Sequence, residues 1–142
     1  MIKDIRHTGI VVEDLEASIR FYRGLLGFVT VRQMEESGDY LDNILAMNGI
    51  EVTTVKMTAP DGQMIELLKF HSHPREKKQC EVHDIGITHI AFTVDNLDDV
   101  YHNLMAEGIK FNSRPQQSPD GYAKVAFCLA PEGTYIELVE VL

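Results

Sequence analysis

The stretch ITHIAFTVDN, residues 87–96, decides how this chain is read. Ile90, Phe92 and Val94 alternate with His89, Ala91 and Thr93, the period of a strand with one strongly apolar face. Asn96 before Leu97, Asp98 and Asp99 then marks a helix start, an N-cap followed by acidic residues in the first turn. The apolar set suits packing under that helix, so His89 points to the other face. A second copy, IRHTGIVVED at residues 5–14, repeats the strand, the histidine and a cap-like Asp14. There His7, Gly9 and Val11 share one face, and Thr8, Ile10 and Val12 the other.

Working outward, the strand ends repeat as well. APDGQMIELLKF (59–70) matches APEGTYIELVEV (130–141), which puts Glu66 on Glu137. The histidine-to-glutamate spacing is longer in the first half, so an insertion falls within residues 35–50. Each half reads β-α-β-β-β. In the first, Asp14 caps a helix from Leu15 to Gly27, and residues 28–34 form a strand. Glu35 to Gly38 read as a turn, residues 40–45 as one or two helical turns, and residues 52–57 and 64–70 as strands. The second half offers strands at 87–94, 124–129 and 135–141, a helix from Leu97 to about Gly108, and a polar loop at 113–121. The expectation is an α+β domain spanning 1–142, with module 1 over about 1–72, a linker over about 73–84 and module 2 over about 85–142.

Composition narrows the function classes. The chain has 142 residues, 44% hydrophobic, which is enough for a sizeable core. Its net charge of −9 is spread over both halves without a basic stripe, which argues against nucleic-acid binding. No apolar run reaches the length of a membrane span. Residues 1–15 carry Asp4, Glu13 and Asp14 and lack the apolar core of a signal peptide. Cys80 and Cys128 are too few for a disulfide framework, so a cytoplasmic protein with reduced thiols is expected.

A single strand histidine is usually half-buried structure, and a single strand glutamate is usually half-exposed. Two of each at matching positions of a repeat, with compatible parity, are a different signal. His7, Glu66, His89 and Glu137 together make a ligand set suited to one divalent ion. His71 and His73 form a pair at the start of the linker, His83 lies before the second repeat, and His102 is on a helix surface; none belongs to that set. Cys128 on a late strand reads as core.

At these residues the sequence resembles the vicinal oxygen chelate superfamily, which includes glyoxalase I, methylmalonyl-CoA epimerase, extradiol dioxygenases and drug-resistance proteins. The matching segments are HTGIVVEDLEASIRFYRGLLGF (7–28), APDGQMIEL (59–67), HIAFTVDNL (89–97) and APEGTYIELVE (130–140). The resemblance implies two tandem βαβββ modules forming a curled mixed sheet around a metal cleft, commonly in a homodimer. It carries the metal positions onto His7, Glu66, His89 and Glu137, with zinc, nickel, cobalt, manganese or iron as the ion. A His-Glu-His-Glu set is similar to that of glyoxalase I, a lactoylglutathione lyase. The arginine that grips glutathione there, four residues after the first ligand, is replaced here by Val11.

The implied activity is that of a metal-dependent lyase or isomerase chelating vicinal oxygens of a small substrate. It would move a proton through an enediolate, with Glu137 as base and Glu66 returning the proton. The alternatives are an epimerase of the methylmalonyl-CoA type, a ferrous extradiol-type dioxygenase, and a non-catalytic small-molecule-binding resistance protein.

Overall fold

The computed structural model describes residues 1–142, in two compact units, Met1–Lys77 and Lys78–Leu142. Unit 1 contains β1 (Thr8–Val11), α1 (Leu15–Ile19), β2 (Val29–Ser37), α2 (Asp39–Leu45), β3 (Glu51–Thr58) and β4 (Met64–Phe70). Unit 2 contains β5 (His89–Thr93), α3 (Leu97–Ala106), β6 (Gln116–Gln117), β7 (Ala123–Leu129) and β8 (Tyr135–Val141). Each unit is one open four-stranded mixed sheet, in the orders β1-β4-β3-β2 and β5-β8-β7-β6. In both, the first strand runs parallel to the last and the remaining pairs are antiparallel. The α+β class and the repeat are therefore as expected, with identical topology in the two halves. No helix is long and apolar enough to cross a membrane.

The caps form where the sequence places them. Asp14 Oδ1 accepts from Ala17 N at 3.0 Å, and Asn96 Oδ1 accepts from Asp99 N at 3.0 Å. Helix α1 continues as a π-helical segment over Arg20–Leu25 and stops before Gly27, whose φ of 82° suits glycine. In unit 2, Glu140 adds a second tie, accepting from Leu97 N at 2.8 Å and lying 3.7 Å from Lys124.

Burial fixes which face of each sheet carries chemistry. In unit 1, Ile10, Val55, Met57, Ile65 and Leu67 are buried on one face, with Phe21 and Tyr22 of the helical segment also buried. A fully buried side chain of this size contributes about 1.5–3 kcal/mol. A one-residue register slip would forfeit several such contributions at once, so the parity of Glu66 is settled by its neighbours. In unit 2, Ala126, Cys128, Ile136 and Leu138 do the same with Leu97 and Leu104.

Two readings need correction. Glu35 to Ser37 are not a turn but the end of β2, and only Gly38 breaks it, at φ 104°. The reason is tertiary: Glu35 takes the Thr53 hydroxyl and Glu36 the Thr54 hydroxyl of the adjacent strand, at 2.7–2.8 Å. The loop at 113–121 also contains β6, which pairs Gln116 with Val125 and Gln117 with Lys124. Strands β1 and β5 are shorter than the alternating patterns that mark them.

Candidate metal centre

Within each unit the structure places one predicted histidine beside one predicted glutamate, His7 with Glu66 and His89 with Glu137. Gly9 of β1 is the register partner of Glu66, and Ala91 of β5 is that of Glu137. The histidines stand two positions earlier, His89 as the first residue of β5 and His7 just before β1 begins rather than on the strand as expected. His7 Nε2 lies 3.9 Å from Glu66 Oε1, and His89 Nε2 lies 3.3 Å from Glu137 Oε2. No group of three or more His, Cys, Asp or Glu able to hold a metal ion is gathered.

The donor chemistry of each pair fits a divalent ion. Two donors sharing an ion at about 2.0–2.2 Å stand about 2.8–3.6 Å apart at octahedral to tetrahedral angles. The His89–Glu137 separation falls in that range, and His7–Glu66 exceeds it by a few tenths of an ångström, within reach of side-chain rotation. His89 Nδ1 lies 3.2 Å from the Thr88 hydroxyl. With Nδ1–H donating to that oxygen, Nε2 keeps its lone pair toward Glu137, as a ligand requires. The ring is braced further by Phe127, edge-on with centroids 5.4 Å apart.

Glu66 has a second partner that sequence reading missed. Lys56 Nζ lies 3.4 Å from Oε2, so the two carboxylate oxygens divide between Lys56 and His7. At 13% side-chain exposure, Glu66 is the most enclosed of the four, and an enclosed carboxylate calls for a cation. The run EVTTVKMT (51–58) shows a charged residue but no register, and only the pairing Lys56↔Glu66 reveals the contact. Glu137, 23% exposed, has no lysine or arginine beside it.

The excluded residues stay apart from this chemistry. His71 Nε2 lies 2.7 Å from the Thr53 hydroxyl, which also donates to Glu35. Thr53 and Glu35 belong to the face opposite Glu66, since their register neighbours alternate with Lys56. Cys128 is buried, and burial pushes its thiol up to about 12, so it offers no thiolate near neutrality.

The family model of the Glyoxalase/Bleomycin resistance protein/Dioxygenase superfamily matches residues 4–138. The chain belongs to that superfamily. It is 32% identical over 146 residues to a lactoylglutathione lyase of Schizosaccharomyces pombe, matching over 95% of its own length and 46% of the yeast protein's. The chain thus spans about half of that relative. It is also 32% identical to the Bacillus subtilis protein YwkD, over 99% of this chain and 98% of that one. Among solved structures, a glyoxalase family protein of Bacillus cereus superposes with a TM-score of 0.92 at 23% identity, covering 100% and 96% of the two chains. That likeness is one of fold.

Proposed function

We propose that this protein is a divalent-metal-dependent lyase or isomerase of the glyoxalase I-like type, with His7, Glu66, His89 and Glu137 as ligands of one ion. The observation that carries the reading is the duplication of one His–Glu pair at matching positions of both modules, 3.9 Å apart in the first and 3.3 Å in the second. Family membership and the 32% identity to a lactoylglutathione lyase support it. When bound, the ion supplies Lewis acidity that lowers the cost of negative charge on two vicinal substrate oxygens.

The chain's own residues do the rest. Glu137 takes the proton from the carbon next to the substrate carbonyl. It is the freer carboxylate, more exposed than Glu66 and without a lysine on its second oxygen. For the return step Glu66 must itself carry a proton, which Lys56 Nζ at 3.4 Å can hand to it; Glu66 then delivers that proton to the other side of the carbon, and Glu137 gives its own to solvent, which reloads Lys56. Thr88 and Phe127 keep the His89 ring in place while Glu137 moves. Val11, exposed on the same face as His7, offers no charge to a glutathione carboxylate, so we assign a substrate other than a glutathione adduct.

Metal analysis of wild type, His7→Ala and His89→Ala tests the centre. About one ion per chain in wild type and marked loss in both variants is expected. Equally low occupancy in all three, with each divalent ion supplied in turn, would sink the reading. Turnover of the methylglyoxal–glutathione hemithioacetal by metal-loaded protein would overturn the substrate assignment alone.

A further inference from the structure

Two cations stand side by side on the face that carries His7 and Glu66. Lys56 on β3 is the register partner of Glu66 on one side and of Arg32 on the other. Residues directly opposite in adjacent antiparallel strands project to the same face, so the order across the sheet is Glu66, Lys56, Arg32. Lys56 reaches Glu66 at 3.4 Å, whereas Arg32 has no acidic group within ion-pair distance. The nearest acid along that face of β2, Glu36, lies about 13 Å further on and takes the Thr54 hydroxyl instead.

Like charges directly opposite one another destabilise a sheet. Arg32 is exposed, so water carries its charge; in a chain of net charge −9, with 22 acidic residues, no acid is paired with it. A cation on an edge strand can serve to block strand addition, which would account for Arg32 on β2. Lys56 on interior β3 answers the enclosed Glu66, but neither account gives a reason for the two cations to face each other. The corresponding position of module 2 is Phe127, opposite Glu137, so the repeat itself does not require a cation there.

We propose that Arg32 and Lys56 form a subsite for an anionic oxygen group of the substrate, a carboxylate or a phosphate. The subsite lies one to two strand spacings, about 5–10 Å, from Glu66. The anionic group is therefore a few bonds from the substrate atoms that His7 and Glu66 serve. The planar fork of Arg32 takes two oxygens, and Lys56 adds a point charge between that group and Glu66. This inference rests on the metal-centre reading above and adds the substrate class: a small acid bearing vicinal oxygens.

Three matched chelators test it on nickel-loaded protein by titration calorimetry. Acetohydroxamate is neutral, malonate monohydroxamate adds a carboxylate, and phosphonoacetohydroxamate adds a phosphonate. At least one anionic chelator should bind about tenfold tighter than the neutral one, and the larger gain assigns carboxylate or phosphate. Arg32→Gln and Lys56→Gln should each remove most of that gain, and Arg32→Gln should leave acetohydroxamate affinity unchanged. Equal affinities for all three, or a gain that survives both substitutions, would overturn the subsite while leaving the metal centre standing. Absence of nickel-dependent acetohydroxamate binding would instead remove the metal centre, and the subsite with it.

Discussion

Lys56 and Phe127 occupy the same place in the two modules, each directly across the sheet from its module's glutamate, yet one is a cation and the other an aromatic ring. Lys56 touches the carboxylate of Glu66, while Phe127 touches the imidazole of His89. The repeat has thus kept its His–Glu pairs and differentiated their surroundings. One pair is held through its acid, and the other through its base.

Phe127→Ala should weaken metal binding at the centre proposed above. An edge-on aromatic contact is worth about 0.5–1.5 kcal/mol, which converts to roughly twofold to tenfold in affinity if the freed His89 ring must be reordered on binding. Competition with a calibrated chelator measures it. An unchanged metal affinity would show that Thr88 alone fixes the ring.

Thr53→Val separates stability from the site. Thr53 is 2% exposed and its hydroxyl links His71 to Glu35, but on the face opposite Glu66. Because His71 and Glu35 are both exposed and can turn to water, the expected loss is only about 0.5–1.5 kcal/mol in urea unfolding. Metal content should not change.

Asn96→Ala removes the N-cap of α3, the helix announced by the sequence stretch that repeats around His89. The expected cost is about 1 kcal/mol, or several degrees in Tm. Glu140 still accepts from Leu97 N, so a null result would mean that this carboxylate alone suffices to start the helix.

Asp42 makes the acid side of the stability profile steeper. It accepts from Ile50 N at 2.9 Å and Gly49 N at 2.8 Å, and these bonds hold its carboxyl below the ordinary 3.8. A depressed folded-state value means the contribution is complete above 3.8 and is lost as pH falls through the lower folded-state value. Asp42→Asn should lower stability at neutral pH and flatten the profile below 3.8. Denaturant midpoints across that range check the sign.

The two thiols should differ in reactivity by access alone. Cys80 is exposed and Cys128 is buried. A maleimide should label Cys80 in the native protein and reach Cys128 only after unfolding, so mass spectrometry should show one adduct before denaturant and two after. Native labelling of Cys128 would show that β7 opens without global unfolding.

Much of the protein was legible in its sequence because the controlling signals are local. Alternation in ITHIAFTVDN and IRHTGIVVED set the parity of His89 and His7, and the asparagine and aspartate after them set the helix starts. The matching APDGQMIEL and APEGTYIEL segments aligned Glu66 with Glu137 without reference to any contact. Tertiary structure decided what depends on register, which no local pattern encodes. It carried β2 through Glu35 and Glu36, because threonines on β3 receive those carboxylates. It set Lys56 between Glu66 and Arg32 and Phe127 against His89, since strand pairing chooses neighbours far apart in the chain. The four ligand candidates follow from periodicity, and the charge and shape beside them follow from pairing.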